Sequence, residues 1–440
     1  MSKHLFKFSM LLAVVGLIAG CTLSFMPPLP INDLKAGFNL AIAVDPQGTK
    51  HIIGVDPLNH QIVYLRTRLG EIQSKVTVPL TSGWWPTEPD IGVVDDETAI
   101  LAWYETDNSA PLTNYRICFM ISPAPSPPGC GELFRGTYTG SIQPVVRVVA
   151  GGSKGSVIYS TQESGQYHLY YQEVIGGLAR GKADWSTGNP PVRTVNGVID
   201  SEGYLHLIWY ADDGVSNNRV LYASNRTTDP SGNMTQNRVL LLASSDRVNP
   251  PAIAIYPTTG GERLAFAYVK DNSGSDDEIY HQNIKVDNTD ASVEQKLNLT
   301  GGAYQLANVH AVGVNNGYLI GFIRKNTNSS PSEVWLRNAA GGISQITNNS
   351  YSEEELQMVA AGGSFVMAYK RVPQFSEPRQ VFIYEQKSGE RLIYSETCGS
   401  YNLGGEMAAS GDVVAGVWAQ CDRVWFSTNA ELVYLPLLLR

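Results

Sequence analysis

Residues 198–213, VIDSEGYLHLIWYADD, place three Asp, a Glu, a His and three aromatic residues within one short stretch. Such a run is either a catalytic constellation or the local grammar of a repeating fold. The two readings differ in what they require elsewhere, because an active site is unique and a fold element recurs. The spacing Asp-x-x-Gly-x-x-His occurs twice in the same register, at Asp45, Gly48 and His51 and at Asp200, Gly203 and His206. The near copy speaks against a unique catalytic role for either His. It predicts a hairpin turn at residues 200–203, with His206, Trp209 and Tyr210 on the packing surfaces of the strand that follows.

Units of this shape run through the chain. Their middle strands read HIIGVD from His51, AILAWYE from Ala99, GSVIYST from Gly155, LHLIWYA from Leu205, RLAFAYV from Arg263, YLIGFIR from Tyr318, SFVMAYK from Ser364 and VVAGVWA from Val413. A third strand follows each, marked by Tyr64, Phe119, Tyr170, Tyr222, Tyr280, Trp335, Phe382 and Trp425, which recur every 43 to 58 residues. That period fits propeller blades and is too long for leucine-rich or helical repeats. No unit holds an amphipathic helix, and each offers three or four strand-length runs bounded by Gly, Asn, Asp or Pro. Fourth strands read KVTVPLT from Lys75, NRVLLLA from Asn237, EQKLNLT from Glu294, GISQITN from Gly342 and ERLIYSE from Glu390. The expectation is an all-β chain folded as one β-propeller over residues 38–440, with eight four-stranded blades, or seven if the third unit is irregular. Residues 431–440 read as the fourth strand of the last unit, with residues 31–37 as a possible added strand.

Turn-plus-strand units such as AVDPQGTKHIIGVD and GVIDSEGYLHLIWYAD resemble the blades of bacterial sialidase-like propellers. The Asp-box of that family is degenerate in this chain. Its nearest approach, TQESGQYH from Thr161, has Glu for Asp and His for the aromatic. The resemblance implies an arginine triad gripping a carboxylate, but the F-R-I-P motif of the family's first arginine is missing. Arg147, Arg193 and Arg324 lie in unrelated units. Sialidase chemistry is therefore not expected from the shared fold alone.

The N-terminus is a basic segment followed by the apolar run FSMLLAVVGLIAG, which reads as an export signal over residues 1–20. Residues 17–21, LIAGC, resemble the lipobox of bacterial lipoproteins, which implies cleavage before Cys21 and lipidation of that residue. Residues 21–37 hold three prolines and no period, as a tether would. The expected location is outside the cytoplasm, periplasm or cell surface, held to the outer face of a membrane by the lipid. Removing Lys3 and Lys7 leaves 30 basic against 41 acidic residues, a balance of −11 that argues against nucleic acid as a partner.

Four further cysteines, Cys118, Cys130, Cys398 and Cys421, suit an exported protein with disulfides, and sequence-local pairing is favoured among three connectivities. Zinc is the alternative, although no CxxC pair or His cluster supports it.

Candidate ligand-binding residues are few. Trp84 and Trp85, beside Glu88 and Asp90, resemble a sugar-stacking platform, or else they plug gaps between blades. Arg147 interrupts an apolar inner strand. Its counterparts in other units are Gly92, Gly197, Ala311, Gln357 and Glu406, so that Arg147, Gln357 and Glu406 could surround a central channel. Residues 271–278, DNSGSDDE, could offer Asp271, Asp276 and Asp277 to calcium, yet they lack EF-hand spacing and read more simply as a hairpin loop. No cofactor is expected otherwise, and no Ser-His-Asp set or phosphate loop is recognisable.

The functional expectation is a binding or scaffolding module for a glycan or a protein partner. A glycan-active hydrolase or lyase and a subunit of a membrane-associated complex are the alternatives. Anchoring is directly testable: Cys21→Ser should abolish incorporation of radiolabelled palmitate and move the protein from the membrane to the soluble fraction. Retention of both label and membrane association in that variant would remove Cys21 as the anchor.

Overall fold

The computed structural model describes residues 29–429, apart from residues 36–39 and further short segments of which 227–237 is the longest. Cys21, Cys398 and Cys421 lie outside the described residues. Eight antiparallel sheets are arranged as a β-propeller, seven of them running from an inner strand outward in chain order. The blades cover residues 40–79, 85–138, 146–184, 192–243, 247–296, 305–345, 352–396 and 405–428. They are numbered 1 to 8 in that order. The third unit is a regular four-stranded blade, so the seven-bladed alternative falls. Among the described residues, no helix is long and apolar enough to cross a membrane.

Why these segments form blades follows from their two-faced apolarity. The middle strands Ala99–Thr106 and Leu205–Ala211 are buried at every residue, as a strand sandwiched between neighbouring sheets must be. Ile53, Tyr64, Ile91, Leu101 and Trp103 fill the space between blades 1 and 2, and Ile208, Tyr222, Phe266 and Tyr268 that between blades 4 and 5. Each such side chain contributes roughly 1.5–3 kcal/mol by leaving water.

Three departures from the sequence reading have physical causes. The outer strand of blade 8 is Leu29–Lys35, which pairs antiparallel with Arg423–Thr428, Leu29 opposite Phe426 and Ile31 opposite Val424. The N-terminal segment thus closes the ring in the place expected for residues 431–440, which lie outside the described residues. Outer strands Gly131–Tyr138 and Leu178–Asp184 went unrecognised because an exposed outer strand carries little apolar signal. The inner edge of blade 5 is broken into Arg247–Val248 and Ala252–Thr258, both paired with Gly261–Asp271. Pro250 and Pro251 stand at the break, where they have no N–H to give to the ladder.

The expected disulfide joins Cys118 to Cys130 across the third and fourth strands of blade 2. Glu105 lies beside these sulfurs, but they are bonded to each other and offer no thiolate to a metal.

The twin Asp-x-x-Gly-x-x-His motifs are braces. Asp200 Oδ1 accepts from the amides of Glu202 (3.0 Å) and Tyr204 (2.8 Å), and Asp45 Oδ1 accepts from that of Thr49 (2.7 Å). Gly203 and Gly48 take the φ values of +84° and +80° that the turn requires and that a Cβ would resist. His206 then spans from Asp200 Oδ2 (Nε2, 3.2 Å) to the Tyr222 hydroxyl (Nδ1, 2.9 Å), wholly buried. His51 spans Asp45 and Tyr64 in the same way, at 3.4 and 2.7 Å.

Burial alone would raise the Asp200 carboxyl, but His206, the Tyr204 amide and Arg226 outweigh it and bring the group down to about 2. A folded-state value below the unfolded one adds stability above about pH 4, and this is lost as pH falls toward 2. Urea unfolding between pH 5 and 2.5 should show the wild type losing about 2 kcal/mol that Asp200→Asn has already lost. Parallel stability curves for the two proteins would refute the brace.

Candidate functional site

Each inner hairpin closes on one backbone pair: Asp45/Thr49, Val94/Thr98, Gly151/Lys154, Asp200/Tyr204, Thr258/Gly261, Val314/Gly317, Ala361/Ser364 and Ser410/Val413. Four residues before each pair stand Ala41, Asp90, Arg147, Asn196, Ala254, His310, Gln357 and Glu406, one per blade. Arg147, Gln357 and Glu406 are therefore equivalent, as the repeat suggested. The counterparts Gly92, Gly197 and Ala311 are corrected to Asp90, Asn196 and His310. The turn of blade 4 runs through three residues and those of blades 3, 7 and 8 through two, which displaces Asn196 by one position from the apolar pattern. Counting back from the turn, not along the apolar pattern, would have found Asn196 and His310.

Most of these polar side chains reach across to the next blade. Asp90 Oδ2 accepts from the Val148 amide (2.7 Å) and Glu406 Oε2 from the Ile42 amide (3.3 Å). Asn196 Nδ2 donates to the Pro251 carbonyl at 2.7 Å, and His310 hydrogen-bonds the Leu356 backbone. Arg147 donates to the carbonyl of its own neighbour Val146 (2.8 Å) and feels the charges of Glu88, Asp90 and Glu406. One side chain from each of several inner strands thus ties its blade to the next where apolar packing ends at the channel.

The electrostatics follow from this crowding. Burial pushes the Glu406 carboxyl up to about 8, helped by the charge of Asp90 and opposed by Arg147. Burial also raises Asp90, against Arg147 and the Val148 and Ile91 amides. Glu88 rises for the same reason, with Arg147 opposing and Asp90 assisting. His310 is lowered by burial to about 4 and stays neutral at ordinary pH.

Two residues before Asp90, His310 and Gln357 lie Glu88, Asn308 and Glu355, with φ of +46°, +48° and +54°. Each sits where its inner strand slips register in a bulge. A bulge re-aims side chains, and left-handed backbone in non-glycine residues concentrates at working surfaces. Three blades thus carry the same strained device at the same end of the channel. Between blades 7 and 8 that end opens into a small cleft edged by Glu355, Gln357, Lys370 and Glu406.

The other sequence candidates are placed elsewhere or used otherwise. Trp84 lies beneath the Arg116 and Arg135 guanidinium groups, 4.8 and 5.5 Å from its ring centre, so cations occupy the ring expected to stack on sugar. Trp85 is 41% exposed at the start of its inner strand. Asp277 is buried and accepts from the Leu306 amide (2.8 Å), which ties blade 5 to blade 6, while Asp276 is exposed near Arg324. Asp271 ends its strand. Arg193 faces Asp212 at 3.9 Å and Arg324 covers the Trp335 ring at 4.6 Å, so neither joins Arg147 in a triad.

No protein-family model matches the chain, and no curated protein does. Solved propellers are similar in fold. Prolyl oligopeptidase B from Galerina marginata shares 10% identity at a TM-score of 0.49, over 87% of this chain and 55% of that one. The WD40 domain of SCAP from fission yeast shares 12% at 0.47, over 92% and 97%. An ulvan lyase of polysaccharide lyase family PL25 shares 9% at 0.44, over 89% and 93%. The chain spans about half the length of the prolyl oligopeptidase.

Because the Glu406 carboxyl is held up to about 8 in the folded state, the folded protein keeps a proton that the unfolded chain has released above about 4.5. Stability contributed by this group is present at low pH and lost as pH rises through that window. Unfolding in urea at pH 5, 7 and 9 should show a loss on the order of 2 kcal/mol in wild type that Glu406→Gln lacks. Identical pH slopes would contradict a buried, protonated Glu406.

Proposed function

We propose that the protein is a lipid-anchored binding module on the outer face of a bacterial membrane, which meets its glycan or protein partner at the bulged end of the channel. The observation that carries this reading is the use made of the channel carboxylates. Asp90 and Glu406 accept backbone amides from neighbouring blades, which commits them to holding the ring together. A general acid or base instead needs a carboxylate in reach of the substrate proton. The acidic balance of the mature chain and the lipobox-like segment ending at Cys21 agree with an extracytoplasmic surface role.

A glycan-active enzyme is the second reading, favoured by one observation. The Glu406 carboxyl is held protonated to about 8 near Asp90 and Arg147, the pairing of an acid with an ion that glycoside chemistry uses. Glycan-array binding run in parallel with hydrolysis and lyase assays on the same preparation separates the two. Binding without turnover is the expected outcome. Turnover lost in Glu406→Gln would replace the module with the enzyme.

A further inference from the structure

The direction of one strand decides which end of the propeller lies nearer to Cys21. In blade 8 the strand Val413–Gln420 leaves the inner hairpin, and Arg423–Thr428 returns toward it. Leu29–Lys35 runs antiparallel to that returning strand, with Leu29 opposite Phe426 and Lys35 opposite Arg423. The chain therefore enters blade 8 from the side of the inner hairpins. It then runs toward the opposite, bulged end, where Glu88, Asn308 and Glu355 hold their left-handed backbone.

Lengths make this direction consequential. Phe426 pairs with Val417, four positions from the hairpin residue Val413, so Leu29 lies about 13 Å short of the hairpin end. Cys21 precedes Leu29 by eight positions, a reach of at most about 28 Å, and a chain that keeps the strand's course has about 15 Å left beyond that end. Bringing the bulged end to the membrane would require the chain to reverse at Leu29, immediately after Pro27 and Pro28, whose preference is a stiff, extended course. The hairpin end is not itself adhesive. Ser153, Glu202, Asn315 and Asp412 are exposed on its turns, and the two carboxylates gain nothing from an anionic lipid surface. The course of the tether, not attraction to lipid, is what orients the ring.

We propose that the propeller stands with its inner-hairpin end toward the lipid surface, within about 15 Å of it at blade 8, and presents its bulged end away from the membrane. This rests on the anchoring at Cys21 proposed above and extends it, because it assigns one end of the channel to the membrane and leaves the other open to the partner.

The test is fluorescence energy transfer on the full mature lipoprotein, added to preformed phosphatidylcholine vesicles that carry an acceptor lipid. The donor is attached at the hairpin end through Ser153→Cys or Asn315→Cys, or at the bulged end of the same blades through Gln166→Cys or Asn328→Cys, all exposed positions. The unsubstituted chain, labelled in parallel, supplies the background from its own cysteines. The two positions in each blade lie about 25–30 Å apart, since Lys154–Glu163 and Gly317–Lys325 run between the two ends. Transfer should be severalfold stronger from Ser153 and Asn315 than from Gln166 and Asn328, and the order should hold when phosphatidylglycerol is included. A long Gly-Ser insertion after Thr22 should erase the difference while the protein stays on the vesicles. Equal transfer from the two ends, the reverse order, or a difference that survives the insertion overturns the orientation and leaves the anchor standing. Flotation with the vesicles reads the anchor separately: a Cys21→Ser chain that still floats removes the anchoring reading, and this orientation with it.

Discussion

Every blade must bury both of its faces, so no blade can stand alone and the structure depends on closing the ring. A strand such as Leu205–Ala211, buried at every position, has nowhere in its own sheet to hide its side chains and relies on blades to either side. Closure makes these debts mutual. It also concentrates polar chemistry where apolar packing gives out, at the inner strands lining the channel. The ring of Asp90, Asn196, His310 and Glu406 is the answer at that boundary: side chains long enough to reach the next strand's backbone and polar enough to satisfy it. Buried Asp277 does the same between blades 5 and 6, on the amide of Leu306.

Much of this was legible in the sequence. The eight middle strands were readable because two-faced burial writes itself as unbroken apolarity, and the eight third strands followed from their aromatics. The paired Asp-x-x-Gly-x-x-His motifs were readable as a turn because Asp, Gly and spacing carry their own geometry. Outer strands such as Leu178–Asp184 were not, since water on one side leaves LARGKAD without a period. The closing strand Leu29–Lys35 was assigned mainly to the tether because its partner, Arg423–Thr428, lies nearly four hundred residues away, beyond any local pattern.

The candidate site was half legible. Arg147, Gln357 and Glu406 stand out as charge and amide in apolar strands, but Asn196 and His310 do not, because alignment on apolar residues falls one position later, on Gly197 and Ala311, than a count back from the turn. Lys370 and Glu355 were invisible for a different reason. Their meaning comes from an ion pair between two strands and from the left-handed bulge at Glu355, neither of which a linear pattern encodes. The Trp84-Trp85 pair is conspicuous in the sequence, but only the structure shows that Arg116 and Arg135 lie over the Trp84 ring while Trp85 is exposed.

The strand that closes the ring is also the first one after the proposed anchor. Leu29 stands eight positions after Cys21, a reach of at most about 28 Å for a fully extended chain. On that anchoring, the propeller cannot drift far from the membrane, and any pull between membrane and captured partner enters the molecule at the seam of blade 8. The hydrogen bonds between Leu29–Lys35 and Arg423–Thr428 would then carry the load in tension before any other part of the fold does. The same strand would serve as both the clasp of the ring and its mechanical fuse.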